Sequence, residues 1–310
     1  MTHVDERRGA GAVSLRAGSR PDAPLTVPIP DVTPARVDAA GPSLPQRLRE
    51  TARSWRARLA AATAEPALSD FHATVVTAGG RPRDHLWRHP VAGAAAVAAV
   101  VRLPRLSASL SADTAGGRAL LHTLTRPGPF RTPFGWTGVA VLDVPADAAE
   151  YSLGAARQTV RRKVRAAQKR GVTVRPVDDP AERAALLARA DEAEAAHADD
   201  RYRNERPDNS DLLDHDLWLG AFATDGAPLL LSVTPTDGEW GQLRYFRTLG
   251  SSPAHSDCRY LATQALVHAL SARGVRHLVE GTHPAELPNG LRHFQRMVGF
   301  RLARVAARRA

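Results

Sequence analysis

The stretch that most constrains this chain runs from Tyr151 to Arg175 and reads YSLGAARQTVRRKVRAAQKRGVTVR. It holds eight basic residues and no Asp or Glu. Leu153, Ala156, Val160, Val164 and Ala167 recur at spacings of three and four, which predicts one helix over 151–171 with a narrow apolar face. Ser152 can cap its start and Gly171 can take the left-handed turn that ends it. On the other face Arg157, Arg161, Arg165 and Lys169 form a ladder at i, i+4, flanked by Arg162, Lys163, Arg170 and Arg175. Like charges at this spacing cost about 0.2–0.5 kcal/mol per pair. A face that accepts this cost is expected to meet an anion: cofactor phosphates, a nucleotide-linked substrate or RNA. The competing reading is a solvated face in an Arg-rich protein.

Arginine richness is general here. Only Lys163 and Lys169 are lysines among 42 basic residues, set against 32 acidic ones for a net charge of +10. The clustering of charge therefore says more than its sum. A chain of 310 residues has room for two domains or one large one. Val91–Val101, the longest apolar run, is too short and too Ala-rich to span a bilayer, and no secretory signal pattern is visible. One cysteine, Cys258, excludes an intrachain disulfide and a thiolate metal cluster. These features point to a cytoplasmic protein.

Residues 1–45 carry seven prolines from Pro21 to Pro45 and no apolar period, so they read as a disordered tail. Residues 46–138 read as an N-terminal α/β region. Gln46–Ala64 is expected to be a helix and Phe71–Thr77 (FHATVVT) a strand. His85 and His89 are four apart, a spacing that can hold a metal on a helix. Pro82 and Pro90 bracket them and no third ligand is near, so a loop without metal is expected. Val91–Leu103 fits helix or strand, and Ala119–Leu124 is ambiguous. From Val139 the order is clearer: a strand at Val139–Val144, the basic helix, a strand at Val172–Val177, and a helix from Asp179-Pro180 to about His197. A polar loop follows. Strands are expected at Trp218–Thr224, Leu229–Thr234 and Trp240–Thr248, with turns at Asp225-Gly226 and Asp237-Gly238. Next come a helix over Asp257–Ala272, a strand at Val275–Glu280, a polar loop, a helix at Leu291–Met297 and a strand at Phe300–Val305.

That order, with three pieces of sequence, resembles the GNAT acyltransferase superfamily, most closely its Fem-type branch and the related catalytic domains of phosphatidylglycerol lysyltransferases. RQTVRRKVRAAQKRGVTVR is similar to the basic helix and Gly-Val strand of Fem-type proteins. DGAPLLLSVTPTDGEWGQLRYFRTL is similar to their central hairpins, and ARGVRHLVEGTHPAELPNGLRHFQRMVGFR to their closing unit. The resemblance covers residues 139–305 and implies an α/β chain with a GNAT-like fold, in which 215–305 forms one mixed sheet with a splayed parallel strand pair. It makes 139–310 the acyltransferase domain. Residues 66–138 occupy the place of the degenerate first GNAT-like half of a tandem. Two departures stand out. Where a CoA-using member carries a Gly-rich phosphate loop, this chain has LGSSPAHSDCRYL. The Phe-Lys pair of the closing helix is Phe294-Gln295.

The resemblance implies an N-acyltransferase that moves an acyl or aminoacyl group from acyl-CoA or aminoacyl-tRNA onto an amine by direct transfer. Such transfer needs a proton acceptor and charge to meet the developing oxyanion, but no covalent nucleophile. No GxSxG elbow, P-loop or zinc-protease helix is present. Glu280, at a strand end, and His283, in the loop after it, are the expected general bases. Arg157, Arg161, Arg165, Lys169 and Arg259 are the expected donor or anion contacts. Replacing Arg161 and Arg165 by Glu is expected to abolish tRNA binding with little loss of stability. Arg244, Tyr245, Asn289 and Arg292 are the expected substrate contacts, with one of Arg244 and Tyr245 facing the site by strand alternation. Cys258, near His255 and Asp257, has a weaker claim as a nucleophile because it opens a helix. The expected partners are a small-molecule or cell-envelope amine and possible tRNA, with no transmembrane segment and no metal. A reading from another class is a nucleic-acid-binding or regulatory module on an inactive GNAT-like scaffold.

Overall fold

The structure is a computed structural model that describes residues 63–75, 77–78, 82–128, 131–200 and 202–310. The tail at 1–45 and most of the helix expected at Gln46–Ala64 lie outside them. Residues 63–75 are helical (α1), which corrects the strand expected at Phe71–Thr77. Ala64, Leu68, His72 and Val75 are buried at helical spacing, and that period overrides the β-branched composition of the short window. Pro82–Arg88 (α2) is a helix where a loop was expected, and Pro90–Arg102 (α3) follows it. Each proline sits at a first helical position, where its missing N–H costs nothing. The two prolines start helices here and do not block one.

Arg105–Leu110 (β1) and Ala115–Thr125 (α4) precede Val139–Asp143 (β2). Thr114 caps α4 by accepting the Gly117 N–H at 2.9 Å. The predicted single helix over 151–171 is three pieces: 3₁₀ turns at Ala148–Ser152 and Ala155–Arg157, then Gln158–Lys169 (α5). Gly154, at φ 82°, breaks the run. Ser152 is therefore not the cap, and Leu153 and Ala156 are exposed, whereas Val160, Val164 and Ala167 are buried as expected. Gly171, at φ 72°, ends the helix.

Beyond it lie Thr173–Pro176 (β3), Pro180–Ala195 (α6), Trp218–Phe222 (β4), Pro228–Val233 (β5), Thr236–Asp237 (β6), Trp240–Leu243 (β7), Tyr245–Thr248 (β8), Pro253–Ala272 (α7), His277–Glu280 (β9), Asn289–Val298 (α8) and Arg301–Arg309 (β10). Two mixed-order layers result. One sheet runs β1-β10-β2-β9-β7-β6 and the other β3-β4-β5-β8. The single mixed sheet implied for 215–305 is thus divided in two. β1 pairs in parallel with β10 over six residues, from Arg105 opposite Arg304 to Leu110 opposite Arg309. β4 is buried throughout because helices cover both faces. Trp218 and Phe222 pack with Leu186, Leu187 and Ala190 of α6. Ala221 packs with Cys258 and Ala262 of α7 and Ala167 of α5.

The strand expected at Trp240–Thr248 is two strands in two sheets. β7 runs parallel to β9, with Leu243 opposite Glu280, whereas β8 pairs with β5, with Tyr245 opposite Val233. The bend is a tight turn in which the Arg244 N–H donates to the Gln242 carbonyl at 2.8 Å. A parallel pair therefore runs side by side and then splays. Among the described residues no helix is long and apolar enough to cross a membrane, and no group of three or more His, Cys, Asp or Glu is placed to hold a metal.

Candidate functional site

The splay opens a cavity of about 630 Å³. β8 and α6 form one wall, the start of α7 a second, and the end of β9 with α8 a third. Glu280 ends β9 at the point where the two strands part. Gln295 of α8 donates its Nε2 to Glu280 Oε2 at 2.7 Å, and the Thr282 N–H donates to Oε1 at 3.2 Å. Burial outweighs these bonds and pushes the carboxyl up to about 7. A carboxyl so placed changes charge near neutral pH, which suits a proton acceptor.

Arg244 and Tyr245 both line the cavity, not one of the two. Strand alternation fails because the turn at Arg244 re-aims the chain. Arg244 holds Asp211 through Nε at 3.0 Å and Nη2 at 2.9 Å. Arg259, in the second turn of α7, also lines the cavity and stacks over Phe294 with its guanidinium carbon 4.2 Å from the ring centroid. Gly250 and Ser251 flank the same helix start, where the Ser252 N–H donates to His255 Nδ1 at 3.3 Å.

His283 does not line this cavity. It is buried, 5.1 Å ring-to-ring from His72 and 5.9 Å from Phe134, and burial drives it down to about 4. Its Nδ1 accepts the Ala285 N–H at 3.1 Å, so it organises the loop. Asn289 and Arg292 lie on a second, smaller cavity across α8. Cys258 is fully buried and its thiol is pushed up to about 12, which removes it as a nucleophile.

The basic ladder is largely committed to the fold. Arg157 lies 4.9 Å from the Tyr151 ring centroid. Lys163 and Arg170 grip the buried Asp257 of α7 at 2.8 and 3.2 Å. Arg175 pairs with Glu182. Arg161 donates to the Ser152 and Gly154 carbonyls at 2.7 Å each, pinning the turn before α5. Arg162, Arg165 and Lys169 are exposed. The expectation that Arg161 and Arg165 are equally dispensable to stability is therefore revised. Arg161→Glu is expected to cost about 2 kcal/mol, since charged hydrogen bonds are lost. Arg165→Glu should stay within about 0.5 kcal/mol. Urea midpoints of the two variants check this.

The sequence reading missed Glu194. It is buried on α6, lines the cavity, and faces Arg247 at 3.3 Å and the Tyr245 hydroxyl at 3.5 Å. The signal was present: Glu194 follows Leu186 and Ala190 at i+8 and i+4, on the apolar face of its helix. The cleft thus holds three carboxylates, Glu194, Glu280 and the exposed Glu286, among Arg244, Arg247 and Arg259.

No protein-family model and no curated protein sequence matches the chain. Solved structures with some likeness include that of L-PGS from Bacillus licheniformis, 14% identical with a TM-score of 0.42, over 53% of this chain and 57% of that one. A second is the C-terminal domain (DUF2156) of a lysylphosphatidylglycerol synthetase candidate from Agrobacterium fabrum, 13% identical with a TM-score of 0.40 over the same shares. This chain spans little more than half the length of either.

Proposed function

We propose that the chain is a GNAT-like N-acyltransferase that moves an acyl or aminoacyl group onto an amine inside the splayed-strand cavity, with residues 139–310 as the transferase unit. The observation that carries this reading is Glu280, half-buried where the paired strands part and held there by Gln295 and the Thr282 N–H, with desolvation pushing its carboxyl up to about 7. The amine nitrogen attacks the donor carbonyl carbon, forming the C–N bond. The nitrogen's proton passes to the Glu280 carboxylate. The C–S bond of a thioester, or the C–O bond of an aminoacyl ester, then breaks, and the leaving group takes the proton. Arg259 supplies positive charge at the cavity wall. The Gln295 amide and the Thr282 N–H each engage one Glu280 oxygen and fix the carboxylate's orientation, and a carboxylate oxygen can still accept a second bond from the amine.

Both donors stay in the proposal. The exposed Arg162, Arg165 and Lys169 favour aminoacyl-tRNA, because they offer a polyanion a face that the fold does not consume. The test presents labelled acetyl-CoA, or tRNA charged with labelled amino acids, together with mixed amine acceptors. Transfer from either donor supports the reading and names the donor. A tRNA donor also predicts binding that weakens by orders of magnitude between low and moderate salt, as phosphate contacts release counterions. Nucleic-acid binding without transfer from any donor would instead favour the inactive-scaffold reading.

A further inference from the structure

The second cavity, about 210 Å³, lies between α1, α8 and the start of β10, on the far side of Gln295 from Glu280. Its lining is charged and under-satisfied. His72 is 3% exposed, and its Nδ1 is sealed from solvent without a hydrogen-bond partner. Burial drives this imidazole down to about 3, so it is neutral. The Arg292 Nη1 is likewise sealed and unpaired, while its Nη2 is held by the Asn289 side-chain oxygen. Leaving such groups unpaired is unfavourable, more so for a charged one.

The charge balance says what would satisfy them. Arg292, Arg296 and Arg301 face two carboxylates, Glu65 and Asp70. Glu65 already accepts the Leu302 N–H. One positive charge is left over, and the guanidinium that carries the unpaired N–H can only donate. The missing partner is therefore an acceptor with negative charge. The volume admits a phosphate or short carboxylate with several waters, each taking about 30 Å³ of liquid volume.

We propose that this cavity binds a small oxyanion, a carboxylate or a phosphate group, held by Arg292 with Arg296 and Arg301 and contacted by His72. The site is separate from the transfer cavity and does not depend on the transferase reading. The full chain is titrated calorimetrically with sodium phosphate and with sodium acetate at neutral pH, against sodium chloride of equal ionic strength. Saturable binding of phosphate alone identifies a phosphate ligand, and of acetate alone a carboxylate. Arg292→Gln and His72→Phe should each weaken that binding at least about tenfold. Arg259→Gln, in the other cavity, should leave it unchanged. Should Arg292→Gln fold poorly, Arg301→Gln on an exposed residue carries the same expectation. No saturation by roughly 10 mM overturns the proposal. So does binding that Arg259→Gln abolishes and Arg292→Gln retains.

Discussion

Glu280→Gln is expected to stop catalysis and to stabilise the protein. Loss of the proton acceptor should lower kcat by about 10²–10⁴-fold. Stability should move the other way, because the fold raises this carboxyl from its ordinary 4.5 to about 7. Below the lower value the group is protonated in both folded and unfolded chains, so it contributes nothing. As pH rises through this window the unfolded chain releases its proton first, and native stability falls. Above it the penalty is complete. Each unit of such a difference is worth about 1.4 kcal/mol, so the variant should gain on the order of 3 kcal/mol at about pH 8 and almost nothing at about pH 4. Thermal melts of both proteins at the two pH values check the stability half. The wild-type rate should rise with pH through about 7. A flat pH–rate profile, with the Glu280→Gln variant still active, would remove Glu280 from the mechanism.

Gly116→Ala is the second large expected effect. A Cβ at this position would stand 2.0 Å from the Thr236 carbonyl oxygen and 2.8 Å from its carbon. These are backbone atoms of β6, so no rotamer change relieves the collision. Relief would need α4 to withdraw from the sheet it covers, where Leu120 and Leu124 pack with Val141, Trp240 and Val279. Overpacking of this kind costs about 1–3 kcal/mol and sometimes more. The backbone contact places Gly116→Ala at the upper end, near about 3 kcal/mol, read as a drop in denaturant midpoint. Gly290→Ala meets nothing within 4 Å and serves as the control.

The same glycines explain part of what the sequence concealed. Gly116 and Gly117 lower the helix signal of α4, so Ala119–Leu124 reads as ambiguous, yet close packing is what they serve. β4 and β5 were legible because helices on both faces make nearly every residue apolar. α1 was misread because a window of seven residues hides a period that begins at Ala64. The split between β7 and β8 has no local signature, since sheet membership is decided by partners at Glu280 and Val233. In the cleft, Glu280 and Arg259 could be picked out from element ends. His283 could not be separated from it, because three residues after the strand end its ring packs against His72 and Phe134, partners distant in sequence. The basic ladder was visible as composition, but Asp257, which absorbs two of its charges, is distant in sequence.

The placement of β10 between β1 and β2 sets a timetable for synthesis. β1 emerges early, yet its partner at Arg304 is made almost two hundred residues after Arg105. At roughly 5–20 residues per second, a ribosome leaves that edge waiting for about 10–40 s. During that interval β1 is an unpaired strand edge, open to pairing with other chains. A ribosome stalled before residue 301 would therefore release chains prone to aggregate.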